Sequence, residues 1–218
     1  NKNAQAASEQ KEKLWTTAKE IAEYEVTSLQ NMIDALDSVI NKYKAAVEVL
    51  NSSSLNTLKQ YKITDLFGLE DGKSLTDLLE EQIGSAITTS QKKLSSLVEQ
   101  ANLYQELIDA GNNNSFKGIF AKYKSSGSAE TKILVDKMVS QLNSNNYKDS
   151  TWITEWQNSL SDVISKITDA IGDVQELKDE LRENVYFKAI NNSISQIESL
   201  NDKYNWSIVP MLNLFTGI

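Results

Sequence analysis

Apolar residues recur at helical spacing along most of the chain, and the first long run lies between residues 6 and 50. From residue 29 onward the apolar positions alternate at intervals of three and four residues, which is the a/d pattern of a coiled coil. A second column of residues repeats every seven positions beside it and widens the stripe to the width expected of a helix in a bundle. The two columns are Leu29, Met32, Leu36, Val39, Tyr43, Ala46 and Leu50, and Ile33, Ile40 and Val47. Toward the N-terminus the stripe weakens through Ala22, Ala18 and Leu14, with Glu25 on its line.

The strongest periodic signal lies in residues 151–204. Its apolar positions also alternate at intervals of three and four, and they are Ile153, Trp156, Leu160, Val163, Ile167, Ala170, Val174, Leu177 and Leu181. The pattern staggers at 184–187 and then resumes between 190 and 200. One unbroken helix over this segment would be roughly 80 Å long. We therefore expect either a kink at the stagger or an elongated assembly.

The middle of the chain alternates between shorter helical patterns and polar breaks. Residues 51–73 are rich in polar residues and glycine, and a helix is predicted over 75–110, with a possible kink at Gly84 and a C-terminal glycine at Gly111. A short helical piece follows over 116–123, and Ser128 is placed to cap a helix over 129–143.

These patterns predict an all-α fold, an elongated helical bundle or coiled coil in which two long helices flank a smaller helical middle region. The predicted parts are a long N-terminal helix over 1–52, a central helical region with loops over 53–150, a long C-terminal helix over 151–205 and an apolar tail over 206–218. We expect one structural unit, with the two long helices paired antiparallel along their apolar seams.

Composition excludes much of the chemistry that a chain of 218 residues could perform. There is no His and no Cys, so Ser-His-Asp triads, cysteine nucleophiles, disulfides and imidazole or thiolate metal sites are excluded. The acidic clusters Glu80–Glu81 and Glu176–Glu183 could pair as acid and base or hold a cation, but solvated helix faces are the favoured interpretation. The sequence therefore predicts no enzyme, no catalytic residue, no metal and no cofactor.

Charge argues against a nucleic-acid partner. The formal net charge is −8, and Arg182 is the only arginine. Binding to phosphates needs clustered Lys and Arg side chains. The lysines near the N-terminus are interleaved with Glu residues, which is typical of ion pairs along a helix surface.

Two tryptophans one helical turn apart, Trp152 and Trp156, could anchor a partner or begin the core of the last helix, and the core interpretation is favoured. Trp206, close to Pro210, could anchor a membrane interface or a partner groove, or tuck the tail under the bundle. The candidate interaction residues are Leu29, Leu36, Tyr43, Trp152, Trp156, Leu160, Ile167 and Trp206.

Two stretches resemble helical segments of tail tape-measure proteins from phages and prophages of low-GC bacteria. One is Thr16–Leu50, which contains EYEVTSLQNMIDAL, and the other is Thr154–Tyr204, which contains LKDELRE followed by Phe187. The resemblance implies a structural protein that fills the tail lumen, sets tail length and leaves at DNA ejection, and it carries over no catalytic residue. Its partners would be further copies of itself or other proteins. The segment 51–150 departs from a continuous rod.

The alternative is a secreted helical virulence protein of the needle-tip, translocator or pore-forming toxin type. Long antiparallel helices around a smaller central region would fit that layout, and so would the absence of Cys. A membrane is an expected partner only under this alternative. A pore former should carry an apolar hairpin or tongue, and the sequence contains none.

Overall fold

The computed structural model describes residues 2–52, 79–111, 115–144, 151–184 and 188, and for 42–52, 79, 80, 82 and 151 it describes the backbone alone. Five α-helices lie in this part of the chain: α1 (Lys2–Ser52), α2 (Ser85–Ala110), α3 (Phe116–Ser126), α4 (Ala129–Ser144) and α5 (Thr151–Glu183). A π-helical segment, Leu79–Gly84, precedes α2. The described residues contain no strand, so the all-α class is confirmed. The elongated coiled-coil arrangement and the four-part division remain predictions.

Helix ends follow the capping residues that the sequence indicated. Gly111 ends α2 with a φ of +58°, and its N–H donates to the carbonyls of Leu107 and Ile108 at 3.2 and 3.1 Å. Ser128 caps α4, because its hydroxyl accepts a hydrogen bond from the Thr131 N–H at 3.3 Å. In the described part of the predicted helix over 75–110, Leu79–Gly84 is π-helical and the α-helix begins at Ser85. Helix α5 ends at Glu183, immediately before the stagger. The predicted continuation to 204 lies outside the described residues, apart from Asn184 and Lys188.

The chain divides into two compact units. Unit 1 comprises Asn1–Ser28 and Ser90–Val174, and unit 2 comprises Leu29–Thr89 and Gln175–Ile218. Each is described by itself.

Within unit 1, α1 and α5 run in the same direction, and α2 runs against both. The Gln91 side chain donates to the Val26 carbonyl at 3.4 Å, whereas Ile108 and Trp15 line one groove, so α1 and α2 are antiparallel. Lys93 pairs with Asp173 at 3.4 Å near the start of α2. Because Ile108 shares the same groove with Leu160 and Ile164 of α5, α2 and α5 are antiparallel as well. The antiparallel pairing of the first and last helices predicted from the sequence is therefore wrong for this unit.

The α3–α4 hairpin explains why α5 runs parallel to α1. Lys122 of α3 pairs with Glu106 of α2 at 2.6 Å, and Ser128, farther along the chain, bonds to Glu99, so α3 runs back along α2. Helix α4 then returns to the end of α2, where Met138 and Tyr104 line a common groove. Since the hairpin begins and ends at the same end of α2, α5 starts there and runs parallel to α1.

The core of unit 1 is built from the apolar stripes of α1, α2 and α5, covered by the hairpin. On α5 the predicted a/d residues from Trp156 to Val174 are buried, together with Ile164. On α1 the prediction is wrong at one position: Trp15 is buried and Leu14 is exposed. Leu14 and Trp15 both continue the line through Ala18 and Ala22 at helical spacing, and the larger tryptophan occupies the buried position.

In unit 2 the described part of the core consists of Leu29, Leu36, Ile40, Ile83, Ile87 and Leu181. Its ion pairs, such as Arg182–Asp179 at 3.5 Å, are exposed. Exposed pairs of this kind contribute about 0–1 kcal/mol each, so apolar burial dominates.

Candidate functional site

Most of the residues predicted for interaction lie inside the fold. Leu29 and Leu36 are buried in unit 2, and Trp156, Leu160 and Ile167 are buried in unit 1. The side chain of Tyr43 and all of Trp206 lie outside the described residues. The buried seams therefore hold each unit together in this chain, and their use between chains remains a prediction.

The tryptophan pair on α5 combines a core role with a partly accessible ring. Trp156 is buried and meets Phe116 of α3 edge to face, with ring centroids 5.1 Å apart. Trp152 is half-buried, and its ring centroid is 6.5 Å from that of Trp156. This geometry joins α3 to α5 through aromatic packing, with Trp156 buried and the rings of Trp152 and Phe116 partly exposed.

Trp152 borders a groove of about 290 Å³ between α4 and α5. Its floor is formed by Tyr104, Met138 and Trp156, which are all buried. Burial raises the pKa of the Tyr104 hydroxyl, which also makes a side-chain hydrogen bond with Ser159. The rim carries Lys137, Gln141, Glu155 and Asn158.

A larger groove of about 490 Å³ lies where α1, α2 and α5 meet. Trp15, Ile108, Leu160 and Ile164 supply its apolar lining, and Lys11, Glu12 and Asp109 lie among its polar residues. Trp15 was not among the residues predicted to be buried. Trp15 lies three residues before Ala18 and Leu14 lies four before it, and both spacings continue the buried stripe, so periodicity alone did not distinguish them.

Helix α1 also presents a second apolar face, which we call the outer face. It consists of Leu14, Thr17, Ile21 and Tyr24, spaced at three, four and three residues. The relative exposures of Leu14, Ile21 and Tyr24 are 60, 43 and 70 %. Exposed apolar residues that recur along one helix face are typical of surfaces that bind another protein.

The joint between α3 and α4 rests on Glu99 of α2. Glu99 Oε2 accepts hydrogen bonds from the Ser128 N–H at 2.8 Å and from Thr131 Oγ1 at 2.9 Å. The carboxylate thus lies at the N-terminus of α4, where a negative charge is favoured by the helix dipole. Thr131 is fully buried, so the network anchors the hairpin to α2.

Tyr123 is a buried titratable group beside this joint. Burial and the neighbouring carboxylate of Glu106 raise its pKa above the ordinary value of 10.0, and Glu99 adds to the effect. The charged form of the phenol is disfavoured both by desolvation and by like charge.

The acidic clusters lie at the surface wherever the structure describes them. Glu81, Glu176, Asp179, Glu180 and Glu183 are exposed. Among the described residues, no group of three acidic side chains is placed to hold a metal ion. None of the described helices is both long enough and apolar enough to cross a membrane.

Comparisons of the chain with protein-family models, with curated proteins and with solved structures found no match. A functional proposal therefore depends on the residues of this chain and on the resemblance of its helical segments. What the described surface offers chemically is an apolar helix face and two grooves, which are suited to contacts with other proteins.

Proposed function

We propose that the chain is a structural protein, a helical segment of a phage or prophage tail tape-measure protein that fills the tail lumen and sets its length. The observation that carries the proposal is the heptad stripe of α5, which is buried at its predicted a/d positions from Trp156 to Val174. The resemblance of Thr16–Leu50 and Thr154–Tyr204 to such proteins supports it.

The physical demand on a length-setting protein is a constant rise per residue. An α-helix supplies about 1.5 Å per residue, so α1, with 51 residues, would contribute about 75 Å and α5, with 33, about 50 Å. Long helices with few breaks meet this demand.

The seams must also be able to serve two arrangements. A stripe that occupies three positions per heptad can pack within one chain or form the core of a multistranded coil. Under the proposal, the isolated chain satisfies its seams internally, whereas copies in the tail exchange them.

The secreted virulence protein remains the second candidate. Its layout of long antiparallel helices is not the arrangement of α1 and α5 in unit 1, where they run parallel. The candidate residue for a lipid contact, Trp206, lies outside the described residues. A membrane test therefore discriminates the two classes.

The experiment starts from particles of the phage or prophage that encodes the parent protein. The tape-measure proposal predicts that the protein copurifies with tails, resists added protease in intact particles and becomes digestible after DNA ejection. A scaffold protein of the tail exterior, digestible throughout, serves as the control.

The contrary outcome is equally specific. If the protein appears in the culture medium without particles, and the purified chain floats with anionic liposomes and releases an entrapped dye, the tape-measure proposal fails and the secreted class replaces it.

A further inference from the structure

The groove between α4 and α5 combines an aromatic platform with two polar walls. The platform is Trp152, which is half-buried and lines the groove. On α4 the wall carries Lys137 and Gln141, four residues apart. On α5 it carries Glu155 and Asn158, three residues apart. Residues at these spacings lie on one face of a helix, so each pair faces the groove together.

The four polar side chains of the walls have unused hydrogen-bonding capacity. All four are exposed, and none makes an ion pair or a side-chain hydrogen bond with another residue that the structure describes. Amide side chains both donate and accept, the ammonium of Lys137 only donates, and the carboxylate of Glu155 only accepts. The two charges are opposite, so the walls carry no net charge. A matching ligand is therefore uncharged and carries groups that both donate and accept hydrogen bonds.

The floor of the groove adds a pair of hydroxyl groups. Tyr104 is buried, and its side chain makes a hydrogen bond with Ser159, which also lines the groove. Each hydroxyl has one donor and two acceptor lone pairs, so a single bond between the two leaves one O–H donor and further lone pairs for a third partner. The groove therefore offers hydrogen-bonding groups below a ligand as well as beside it.

We propose that this groove binds a neutral saccharide, with one flat face of a pyranose ring on the indole of Trp152 and the ring hydroxyls bonded to the two walls. Hydroxyl groups both donate and accept, so they match the carboxylate of Glu155, the ammonium of Lys137 and the amides alike. The C–H groups of the sugar ring are slightly positive and are attracted to the negative face of an aromatic ring. A glucose-type ring fits best, because its equatorial hydroxyls leave C–H groups on both faces.

Two other ligand classes match the groove less well. A quaternary ammonium ion is bound by aromatic rings that surround it, but here Trp156 is buried in the floor and Lys137 repels a cation. An apolar ligand would remove water from the polar walls without replacing its hydrogen bonds, which lowers affinity.

The size of the groove limits the ligand. Its volume of about 290 Å³ is at the small end of the roughly 300–1,000 Å³ of ligand sites, so we expect one sugar ring and a Kd of about 1 mM. The inference does not depend on the proposed function, and it holds or fails whatever the parent protein does.

The indole signals of the full chain test the ligand. The chain contains four tryptophans, so its ¹H–¹⁵N spectrum has four indole N–H signals, and Trp152→Phe identifies the signal of Trp152. Methyl β-glucoside, a single ring of fixed configuration, should shift this signal along a saturable curve with a Kd of about 1 mM. Sorbitol has similar hydroxyls but no flat ring, and choline is a quaternary ammonium ion, so neither should bind as tightly.

Substitutions test the position of the site. Trp152→Ala removes the platform and should weaken the binding of methyl β-glucoside at least about tenfold. Asn158→Ala and Gln141→Ala each remove one hydrogen-bonding group from an exposed position and should weaken binding about fivefold without unfolding the chain. The matched control is Asn143→Ala, which changes an exposed residue of α4 that does not line the groove and should leave binding unchanged. Circular dichroism confirms that each variant is folded.

Three results would overturn the proposal: no shift of the Trp152 signal up to about 10 mM methyl β-glucoside, binding of sorbitol or choline as tight as that of the sugar, or equal weakening by Asn143→Ala and Asn158→Ala. Tighter binding of choline would instead indicate a site for quaternary ammonium ions.

Discussion

Replacing Gly127 by alanine should destabilise unit 1 because there is no room for a side chain. Gly127 ends α3, and its N–H donates to the Tyr123 carbonyl at 3.0 Å. A Cβ at this position would lie 2.5 Å from that same oxygen and 3.1 Å from Thr131 Cγ2. The backbone itself is ordinary, with φ −75° and ψ 166°, so the cost comes from space and not from conformation.

The two groups next to the added Cβ cannot move without a loss of stability. One is a backbone carbonyl of α3, and the other belongs to Thr131, which is fully buried and bonded to Glu99. Overpacking of this kind costs about 1–3 kcal/mol, and disturbing the hydrogen bond adds about 1 kcal/mol. Alanine reduces the entropy of the unfolded chain, which offsets about 0.4–1 kcal/mol. We expect a net loss of about 1–3.5 kcal/mol in the free energy of unfolding.

The matched control is Gly172→Ala in the interior of α5, where a Cβ meets nothing within 4 Å. Alanine is the better helix former, so this variant should gain up to about 1 kcal/mol. Urea unfolding followed by tryptophan fluorescence reports on unit 1, because Trp15, Trp152 and Trp156 all belong to it. A Trp206→Phe background removes the remaining tryptophan. If Gly127→Ala is as stable as Gly172→Ala, the described packing at the α3–α4 joint is wrong.

Three further predictions concern the same unit. Ile167→Ala empties a fully buried position on α5 and should lower the free energy of unfolding in urea by about 2–5 kcal/mol. Lys13→Ala, at an exposed position, should be nearly neutral, and equal effects of the two variants would contradict the packing. Glu99→Ala removes the acceptor for Ser128 and should cost about 1–3 kcal/mol, with Glu99→Gln intermediate because its amide oxygen still accepts; identical losses would argue against the charge at the α4 terminus. The pKa of Tyr123 is raised in the folded chain, so the unfolded chain loses the phenolic proton first as the pH rises past the ordinary tyrosine pKa of 10.0, and the free energy of unfolding should fall above that pH. Tyr123→Phe should flatten this alkaline decline in thermal melts. An unchanged decline would refute the assignment.

The periodicity of the sequence was enough to predict the helices and most of their buried positions. The a/d residues of α5 between Trp156 and Val174 are buried as predicted, since a regular stripe on one long helix can face the core in only one way. Gly111 and Ser128 were predictable because capping depends on a few consecutive residues.

Features that depend on contacts distant in sequence were not predictable. Helix α1 carries two stripes of similar spacing, and periodicity alone does not decide whether Leu14 or Trp15 enters the core; the larger tryptophan does. The direction of α5 depends on where the α3–α4 hairpin returns the chain. The hydrogen bond that the Thr131 hydroxyl donates to Glu99 joins residues 32 positions apart, and no local pattern indicates it. The outer face of α1 was not predicted either, because its residues are spaced like those of the buried stripe.

Under the proposed function this chain sets the length of a tail, so tail length is the measurement to make. In the phage or prophage that encodes the parent protein, the five heptads 150–184 would be deleted in one strain and duplicated in another, and tails would be measured by electron microscopy. At about 1.5 Å per residue, we expect tails about 50 Å shorter in the deletion strain and about 50 Å longer in the duplication strain than in the parent strain. Tails of unchanged length in both strains would contradict it.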